Sequence, residues 1–318
     1  MKLKKVEPLK PDVSVVILAD YAAGEAGTAV GLRAALRGLT KQTFTGRTEF
    51  ILVESERLRD RLPVDLTVIL PAVRIVFAEA QDSLSLRNVG TQHATAEIVA
   101  FLDADCVPDG DWLRWLVTAL DNQKDLAAVS GRTTYGGSGL LERTLSLLAR
   151  AYVDRGRAGE VRQISNNNAA FRKDVLMSHP FPTSANPFVE ALHAGAILRD
   201  GGRLWFEPRA RVIHAFGGWA AECDVSRNAG WATVAIRQVD SQARLAWLVS
   251  LGSASIPVFV LVSLLRSWGR LLRLWRCYGL AWYEVPLGFG IAAATNAMQI
   301  PGMRKALRGR TIADTPYR

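Results

Sequence analysis

Two carboxylates separated by one residue, Asp103 and Asp105, follow the apolar run Ile-Val-Ala-Phe-Leu at 98–102. Ionised carboxyl groups at the end of a buried strand are costly unless a partner compensates their charge. A hard divalent cation with its phosphate ligand is the usual partner for sites built from oxygen ligands. The same spacing also occurs in ordinary turns, so the residues around the pair must decide between a metal site and a turn.

The elements that must position these aspartates are predicted by the spacing of apolar residues. We predict strands at 13–18, 50–53, 74–77, 98–102, 203–206 and 212–214, helices at 32–42, 83–95 and 189–198, and a loop with an amphipathic helix over 107–120. Strands that are apolar throughout and alternate with helices are typical of a parallel sheet with helices on both faces. Ligands bind beyond the carboxyl ends of the strands in such sheets, so Glu54 and Asp103 are expected to converge.

The net charge of +9 is concentrated at the carboxyl end of the chain. Residues 241–318 contain ten Lys and Arg against two Asp and Glu, so the first 240 residues are nearly neutral. We therefore expect no nucleic-acid partner, because no basic face extends across a domain. The three cysteines, Cys106, Cys223 and Cys277, lie far apart, which argues against a disulfide framework or a zinc site and suggests a reducing compartment.

Hydrophobic composition changes near Arg244. Residues 245–265 carry no charge and reach the length of about 20 residues that a membrane span needs, and 285–303 is a second uncharged stretch. On a helical wheel of the segment between them, one face holds Arg266, Arg270, Arg273 and Arg276, and the opposite face holds Trp268, Leu271, Leu272 and Trp275. This pattern is typical of a helix that lies in the membrane interface against anionic lipids. We predict a peripheral or re-entrant membrane platform, with a hydrophobic dimer interface as the alternative.

Further motifs accompany the aspartate pair in a fixed order. They are Phe-Ile-Leu-Val-Glu at 50–54, Ser-Leu-Arg-Asn-Val-Gly at 85–90, Asn-Ala-Ala-Phe-Arg at 168–172 and Pro-Arg-Ala-Arg-Val-Ile-His at 208–214. Together the series resembles the inverting family 2 glycosyltransferases of the GT-A fold, over about residues 13 to 214. The resemblance implies an α/β, GT-A-like domain at 11–240 with a mostly parallel central sheet. Its nucleotide-binding half is expected at 11–120 and its acceptor half at 121–240, followed by the membrane-associated helical region at 241–318.

The resemblance also implies a role for each candidate site residue. Asp105 and His214 would hold a divalent metal, Mn²⁺ or Mg²⁺, that neutralises the departing diphosphate. Asp103, Arg87 and Glu54 would bind the nucleotide-sugar donor, with a UDP-sugar favoured. Each residue also has an ordinary interpretation, such as a strand-end histidine, a surface arginine or a solvated acid.

Glu190 is the one carboxylate between Asp174 and Asp200. The resemblance implies that it is the general base that deprotonates the acceptor, although the family has Asp at this place. A helix N-terminal acid is the alternative interpretation. The first loop also departs from the family pattern, since Asp20 and Tyr21 stand where a base-binding motif is usual.

We therefore expect a metal-dependent inverting glycosyltransferase at the cytoplasmic face of the inner or plasma membrane. Its acceptor would be an envelope polysaccharide or a lipid-linked sugar. A catalytically degenerate glycosyltransferase-like membrane scaffold is the alternative. An oxidoreductase is disfavoured because Gly24, Gly27 and Gly31 lack dinucleotide-binding spacing, and a nucleotidyltransferase because the loop at 19–27 has no Lys or Arg.

Overall fold

The computed structural model of the protein describes residues 10–19, 28–80, 82–183 and 190–309. The strands in these ranges are β1 (Val13–Leu18), β2 (Thr48–Ser55), β3 (Val73–Ala78), β4 (Ile98–Asp103), β5 (Cys106–Pro108), β6 (Leu126–Tyr135), β7 (Gly159–Val161), β8 (Asn168–Arg172) and β9 (Arg203–His214). The α-helices are α1 (Thr28–Leu39), α2 (Leu66–Ile69), α3 (Ser83–His93), α4 (Trp112–Asn122), α5 (Leu140–Leu145), α6 (Lys173–Ser178), α7 (Ala191–Arg199), α8 (Gly218–Val239), α9 (Ile256–Leu274), α10 (Val285–Ala297) and α11 (Ile300–Leu307). Between them lie a π-helical turn, Ser146–Arg150, and 3₁₀ helices at Glu56–Arg61, Ala246–Ser255, Trp275–Tyr278 and Trp282–Glu284.

The nine strands form one sheet whose two halves differ in strand direction. Four neighbours, in the order β3-β2-β1-β4, are all parallel. Beyond them β8 is antiparallel to both β4 and β6, β6 is parallel to β9, and the short β5 and β7 are antiparallel to β9. The parallel half confirms the predicted strands and the α/β class, whereas the sequence pattern did not predict β5, β6, β7 and β8.

Helices cover both faces of the sheet, which explains why its strands are apolar along their whole length. Val15 and Ile17 of β1 belong to a buried cluster formed with α1 and α4. Val16 and Leu18, which point to the other face, belong to a second cluster formed with α3 and α7. Every residue of β1 is therefore buried, and its carboxyl end opens onto the edge where the candidate residues lie.

The last strand of the sheet, β9, is longer than predicted. We predict a strand at 203–206 that leads to Pro208 and to a separate run at 212–214. In the structure β9 is continuous, and its pairing with β6 shifts register between Glu207 and Arg211. Pro208 lies within this irregularity, so the strand continues past it to the edge of the sheet.

The carboxyl-terminal helices pack tightly against α8. A Cβ added at Gly302 of α11 would overlap the Arg227 carbonyl oxygen of α8, and one added at Gly230 of α8 would overlap the Gln299 carbonyl oxygen. Only glycine allows two helix backbones to approach this closely. The α8–α11 contact therefore fixes the position of the carboxyl-terminal helices on the sheet domain.

A buried ion pair also joins the sheet domain to these helices. Arg132 Nε donates to Asp154 Oδ2 at 2.6 Å, and both side chains are almost fully buried. The Tyr278 hydroxyl donates to the same carboxylate at 3.2 Å. Residues on both sides of the predicted boundary at 240 thus share one packed body, and the boundary itself stays a prediction.

One helical segment, Ala246–Tyr278, is long and apolar enough to cross a membrane by length and composition. It is not a single straight helix, because Gly252 has φ 57° and the chain before Ile256 is 3₁₀-helical. The second uncharged stretch, 285–303, is divided between α10 and α11. The first uncharged stretch therefore contains a bend, and the second is divided between two helices.

Candidate active site

The two halves of the sheet meet at Asp103 and Asp105. Asp103 is the last residue of β4 and pairs in register with the last residue of β1, so it lies at the carboxyl edge of the parallel strands. Two residues later, the antiparallel β5–β9 ladder pairs Cys106 with His214. The Ala215 N–H donates to the Asp105 carbonyl oxygen at 2.8 Å, which holds Asp105 beside the end of β9.

The side chains of Asp105 and His214 face each other. His214 Nε2 lies 3.2 Å from Asp105 Oδ2, and His214 Nδ1 lies 2.6 Å from the Ala215 carbonyl oxygen. Because a carbonyl oxygen only accepts, we place the proton on Nδ1, and Nε2 then directs a lone pair toward the carboxylate. Burial and the charge of Arg150 lower the pKa of His214 to about 3, so the ring is neutral. A shared cation stabilises two acceptors placed in this way.

Cys106 completes a group of three potential metal ligands. The ligand atoms of Asp105, Cys106 and His214 all lie within 4.8 Å of one another. A thiol is a soft ligand, and burial raises the pKa of Cys106 well above its usual value, which disfavours the thiolate. The carboxylate oxygen and the neutral imidazole nitrogen therefore fit a hard divalent ion, with Cys106 as a neutral neighbour.

Arg87 reaches Asp103 from α3. Asp82 caps this helix, since its carboxylate accepts two backbone N–H groups, and Gly90 lets the helix approach β1, where a Cβ would overlap a strand side chain. The Arg87 guanidinium donates to Asp103 Oδ1 at 2.6 Å in a buried ion pair. Burial raises the pKa of Asp103 to about 6, against the opposing effect of Arg87. The pair thus places one positive and one negative group at the sheet edge.

Glu190 lies immediately before α7. Its Oε1 accepts from the Tyr152 hydroxyl at 3.2 Å, and its Oε2 accepts from Asn166 Nδ2 at 2.9 Å. Burial raises the pKa of Glu190 to about 7, although Arg87 and both hydrogen bonds oppose the shift. A general base that works at neutral pH needs a pKa in this range.

These side chains share a cavity of about 400 Å³. Arg87, Asp103, Glu190 and His214 line one end of it. From there the cavity continues between the π-helical turn and α8, α9 and α10, where its polar lining includes Arg237, Ser263, Arg266, Ser267, Arg270, Thr295, Asn296 and Gln299. The carboxyl-terminal helices are therefore part of the wall of the site.

The structure brings five of the six predicted site residues together and leaves Glu54 apart. Glu54 lies on β2, two strands from β4, and is fully buried with its Oε1 accepting from the Ser55 N–H at 2.5 Å. The described residues that line the cavity do not include it. Asp20 and Tyr21, which the sequence places near the donor base, lie outside the described residues.

Sequence reasoning missed the partners of Glu190 and the contribution of two arginines to the cavity. Asn166 belongs to a polar loop that precedes a recognisable motif, whereas no sequence signal distinguishes Tyr152. Arg266 and Arg270 were predicted to face lipid, but in the structure they line the cavity. Leu271, from the face predicted to be apolar and lipid-facing, is fully buried in the protein.

Residues 27–179 match the family model for glycosyl transferase family 2. The chain carries a family 2 glycosyltransferase domain. The matched region contains Arg87, Asp103 and Asp105, while Glu190 and His214 lie beyond it. This match confirms the family that the motif series resembles, and it agrees with the observed α/β architecture.

Two known proteins are similar to this chain. A probable N-acetylgalactosaminyltransferase 7 from Caenorhabditis elegans is 24% identical over 181 residues, which cover 53% of this chain. The chain spans only 27% of the length of that relative. The mannosyltransferase PcManGT from Pyrobaculum calidifontis, solved in complex with GDP-Man and Mn²⁺, matches with a TM-score of 0.61 and 17% identity. The match covers 95% of this chain and 88% of that one, which confirms the GT-A-like fold.

Proposed function

We propose that the protein transfers a sugar from a nucleotide-sugar donor to an acceptor hydroxyl, with inversion at the anomeric carbon. The cavity carries this proposal, because Asp103 and a buried carboxyl group with a pKa of about 7, Glu190, both line it, and Asp105 contacts a third lining residue, His214. The family 2 domain at 27–179 supports the reaction class. The inverting course rests on Glu190, which can act as a base in a single displacement.

We infer that Asp105 and His214 hold a divalent ion, Mn²⁺ or Mg²⁺. The lone pairs of Asp105 Oδ2 and His214 Nε2 approach each other at 3.2 Å, as two ligands of one ion would. The bound ion would supply positive charge to the diphosphate that leaves the donor. The Mn²⁺ named for the similar archaeal mannosyltransferase supports a metal of this class.

Arg87, Asp103 and Glu54 are our candidates for donor binding. Arg87 and Asp103 form a preorganised pair at the carboxyl edge of the parallel strands, where ligands of α/β sheets bind. Glu54 stays a candidate because it lies near the carboxyl end of β2, on the same edge of the parallel strands. A UDP-sugar is the donor that the family resemblance favours, whereas GDP-Man is named for the structural relative. Measuring which nucleotide binds to the chain distinguishes these two donors.

Glu190 is our candidate for the general base. In the proposed step its carboxylate takes the proton of the acceptor hydroxyl, and the hydroxyl oxygen forms a bond to the anomeric carbon. The bond from that carbon to the donor diphosphate breaks, and the electron pair leaves with the diphosphate. Tyr152 and Asn166 hold the carboxylate in place during this proton transfer.

We further propose that the carboxyl-terminal helices bind the cytoplasmic face of a membrane and bring a polysaccharide or lipid-linked acceptor to the site. Large apolar side chains are exposed there, namely Trp247, Leu251, Val258, Leu261, Leu265, Leu272, Trp282, Tyr283 and Leu287, which we call the apolar platform. Tryptophan and tyrosine favour the membrane–water interface. Co-sedimentation of the full chain with anionic vesicles measures this association.

The lengths and charges of the helices favour lying in the interface over crossing the bilayer. The 19 residues of α9 extend about 28 Å, but Arg266, Arg270 and Arg273 occupy its second half. Charges near the centre of a bilayer are costly. The 13 residues of α10 are too few for a span of about 20.

Calorimetric titration of the full chain with UDP, GDP, dTDP and CDP, with Mn²⁺ and with a chelator, tests the donor site. We expect one nucleotide to bind only with Mn²⁺, and Asp105→Asn to weaken that binding at least about tenfold because a charged ligand is lost. Asp121→Asn, which removes an exposed carboxylate of α4, is the matched control. Metal-independent binding, or no effect of Asp105→Asn, would contradict the metal assignment. No binding of any nucleotide would favour the degenerate scaffold.

A further inference from the structure

Three arginines from two of the carboxyl-terminal helices line the cavity. Arg237 belongs to α8, and Arg266 and Arg270 belong to α9; we call these three residues the arginine wall. Polar side chains of α9, of α10 and of the turn before α11 line the same cavity, namely Ser263, Ser267, Asn296 and Gln299. Neutral hydrogen-bonding groups around several guanidinium groups are typical of a site for an anion.

The charges of the arginine wall are not compensated by carboxylates in the described part of the chain. None of the three forms an ion pair there, although Arg237 donates to the backbone oxygens of Thr233 and Arg244. Burial and repulsion from Arg266 lower the pKa of Arg237, which shows that like charges have been brought together. Arg237 and Arg270 are half-buried and Arg266 is exposed, and clustered cations with this burial are costly unless an anion joins them.

Arg270 provides a second, independent indication of a ligand. Its Nε is buried and has no hydrogen-bond partner in the described residues. Its terminal nitrogen makes only a long contact of 3.4 Å to the Ser267 hydroxyl. A buried guanidinium N–H without an acceptor is unusual, and the oxygens of a phosphate are well suited to accept from it.

The opposite face of α9 indicates that the ligand is amphiphilic. Arg266 and Arg270 face the cavity, whereas Leu261, Leu265 and Leu272 share another face of the same helix and are more than half exposed. One helix thus separates an anion site from the apolar platform. A ligand with an anionic head and an apolar tail can satisfy both surfaces.

We propose that the arginine wall binds the phosphate or diphosphate head of a lipid-linked acceptor. This inference rests on the proposed transferase function and names the acceptor chemistry. The cavity is continuous from the arginine wall to Glu190, so the head group binds at one end while the acceptor hydroxyl reaches the base at the other. The lipid tail leaves along α9 toward the apolar platform.

Titration of the full chain in a neutral detergent with dodecyl phosphate, dodecanol and inorganic phosphate tests the inference. We expect dodecyl phosphate to bind more tightly than either of the others. Arg266→Gln and Arg270→Gln should each weaken its binding about tenfold or more, because each removes a charge-assisted hydrogen-bond donor. Arg270→Lys, which keeps the charge, should retain part of the affinity. Arg276→Gln, which removes an exposed arginine just beyond α9, should leave it unchanged.

The same variants separate this inference from the donor proposal. Nucleotide binding with Mn²⁺ should be unchanged in Arg266→Gln and Arg270→Gln if the arginine wall serves the acceptor. Weaker nucleotide binding with unchanged dodecyl phosphate binding would overturn the inference, as would equal binding of inorganic phosphate and dodecyl phosphate. If the wild-type chain binds no nucleotide, the transferase proposal fails, and the dodecyl phosphate titration still reports on the arginine wall. Unfolding temperatures confirm that each variant is folded.

Discussion

The two ends of the cavity are built from different kinds of structure. The sheet end holds the Arg87 guanidinium beside the carboxyl groups of Asp103, Asp105 and Glu190, and the two aspartates are held by the ends of paired strands. At the helix end, the arginine wall is basic and is carried by α8 and α9. Backbone ladders position the first group, whereas packing between helices positions the second.

This difference assigns a separate task to each end in our proposal. Aspartates at a rigid strand edge suit a metal and a diphosphate, because metal ligands tolerate only small changes in distance. Arginines on helices have long side chains and suit an anionic head group whose position is less constrained. If both ends act on one reaction, the sheet end performs the chemistry and the helix end selects the acceptor.

The largest expected effect comes from the base at the sheet end. Glu190→Gln should lower kcat by about 10²–10⁴-fold, because it removes the group that accepts the proton. Metal-dependent nucleotide binding should be retained. Since the base must be deprotonated, the wild-type rate should rise with pH through about 7 and then level off, following the pKa of Glu190. Steady-state rates between pH 5.5 and 9 measure both effects.

Two further carboxylates make this prediction specific. Glu97→Gln, at an exposed position, should leave the rate and its pH profile unchanged. Glu222 also lines the cavity, and burial raises its pKa while Tyr135 donates to it. If Glu222→Gln abolishes transfer and Glu190→Gln retains it, the base assignment is wrong.

The sheet end could be predicted from the sequence because buried strands are recognisable there as short apolar runs. The apolar run before Asp103 and the motif around Arg87 fix both residues at the carboxyl edge of the parallel strands. His214 was identified from its motif alone, and its approach to Asp105 depends on the unpredicted β5–β9 ladder. Glu190 carried a motif signal, but its raised pKa depends on burial that no spacing reveals.

The helix end could not be predicted in the same way. A helical wheel correctly groups Arg266 and Arg270 but does not say what that face contacts. The contact is decided by distant residues, since Gly230 and Gly302 allow α11 to approach α8. Leu271 illustrates the same limit, because its burial depends on Leu147 and Leu148, more than a hundred residues away.

A substitution at the contact between Gly302 of α11 and α8 should destabilise the packing of the carboxyl-terminal helices and leave the sheet intact. Gly302→Ala should lower the free energy of unfolding by about 1–3 kcal/mol, because its Cβ would overlap the Arg227 carbonyl oxygen. Gly290→Ala in α10, where an added Cβ meets no atom within 4 Å, should be neutral or stabilise by up to about 1 kcal/mol. Urea unfolding of the two variants measures the difference. Equal effects would mean that α8 and α11 are not packed as described.

The smallest expected effect concerns the apolar platform that borders the helix end. Leu265→Gln should weaken binding to anionic vesicles about tenfold, because a leucine side chain contributes roughly 1.5–3 kcal/mol when it leaves water. Leu265 is 54% exposed, so the substitution should not destabilise the fold. Val68→Gln, at a 78% exposed position on α2, is the matched control and should leave vesicle binding unchanged. If Leu265→Gln has no effect on vesicle binding but changes the oligomeric state in sedimentation, the platform is a subunit interface. The arginine wall would then lie next to a second copy of the chain instead of a lipid surface.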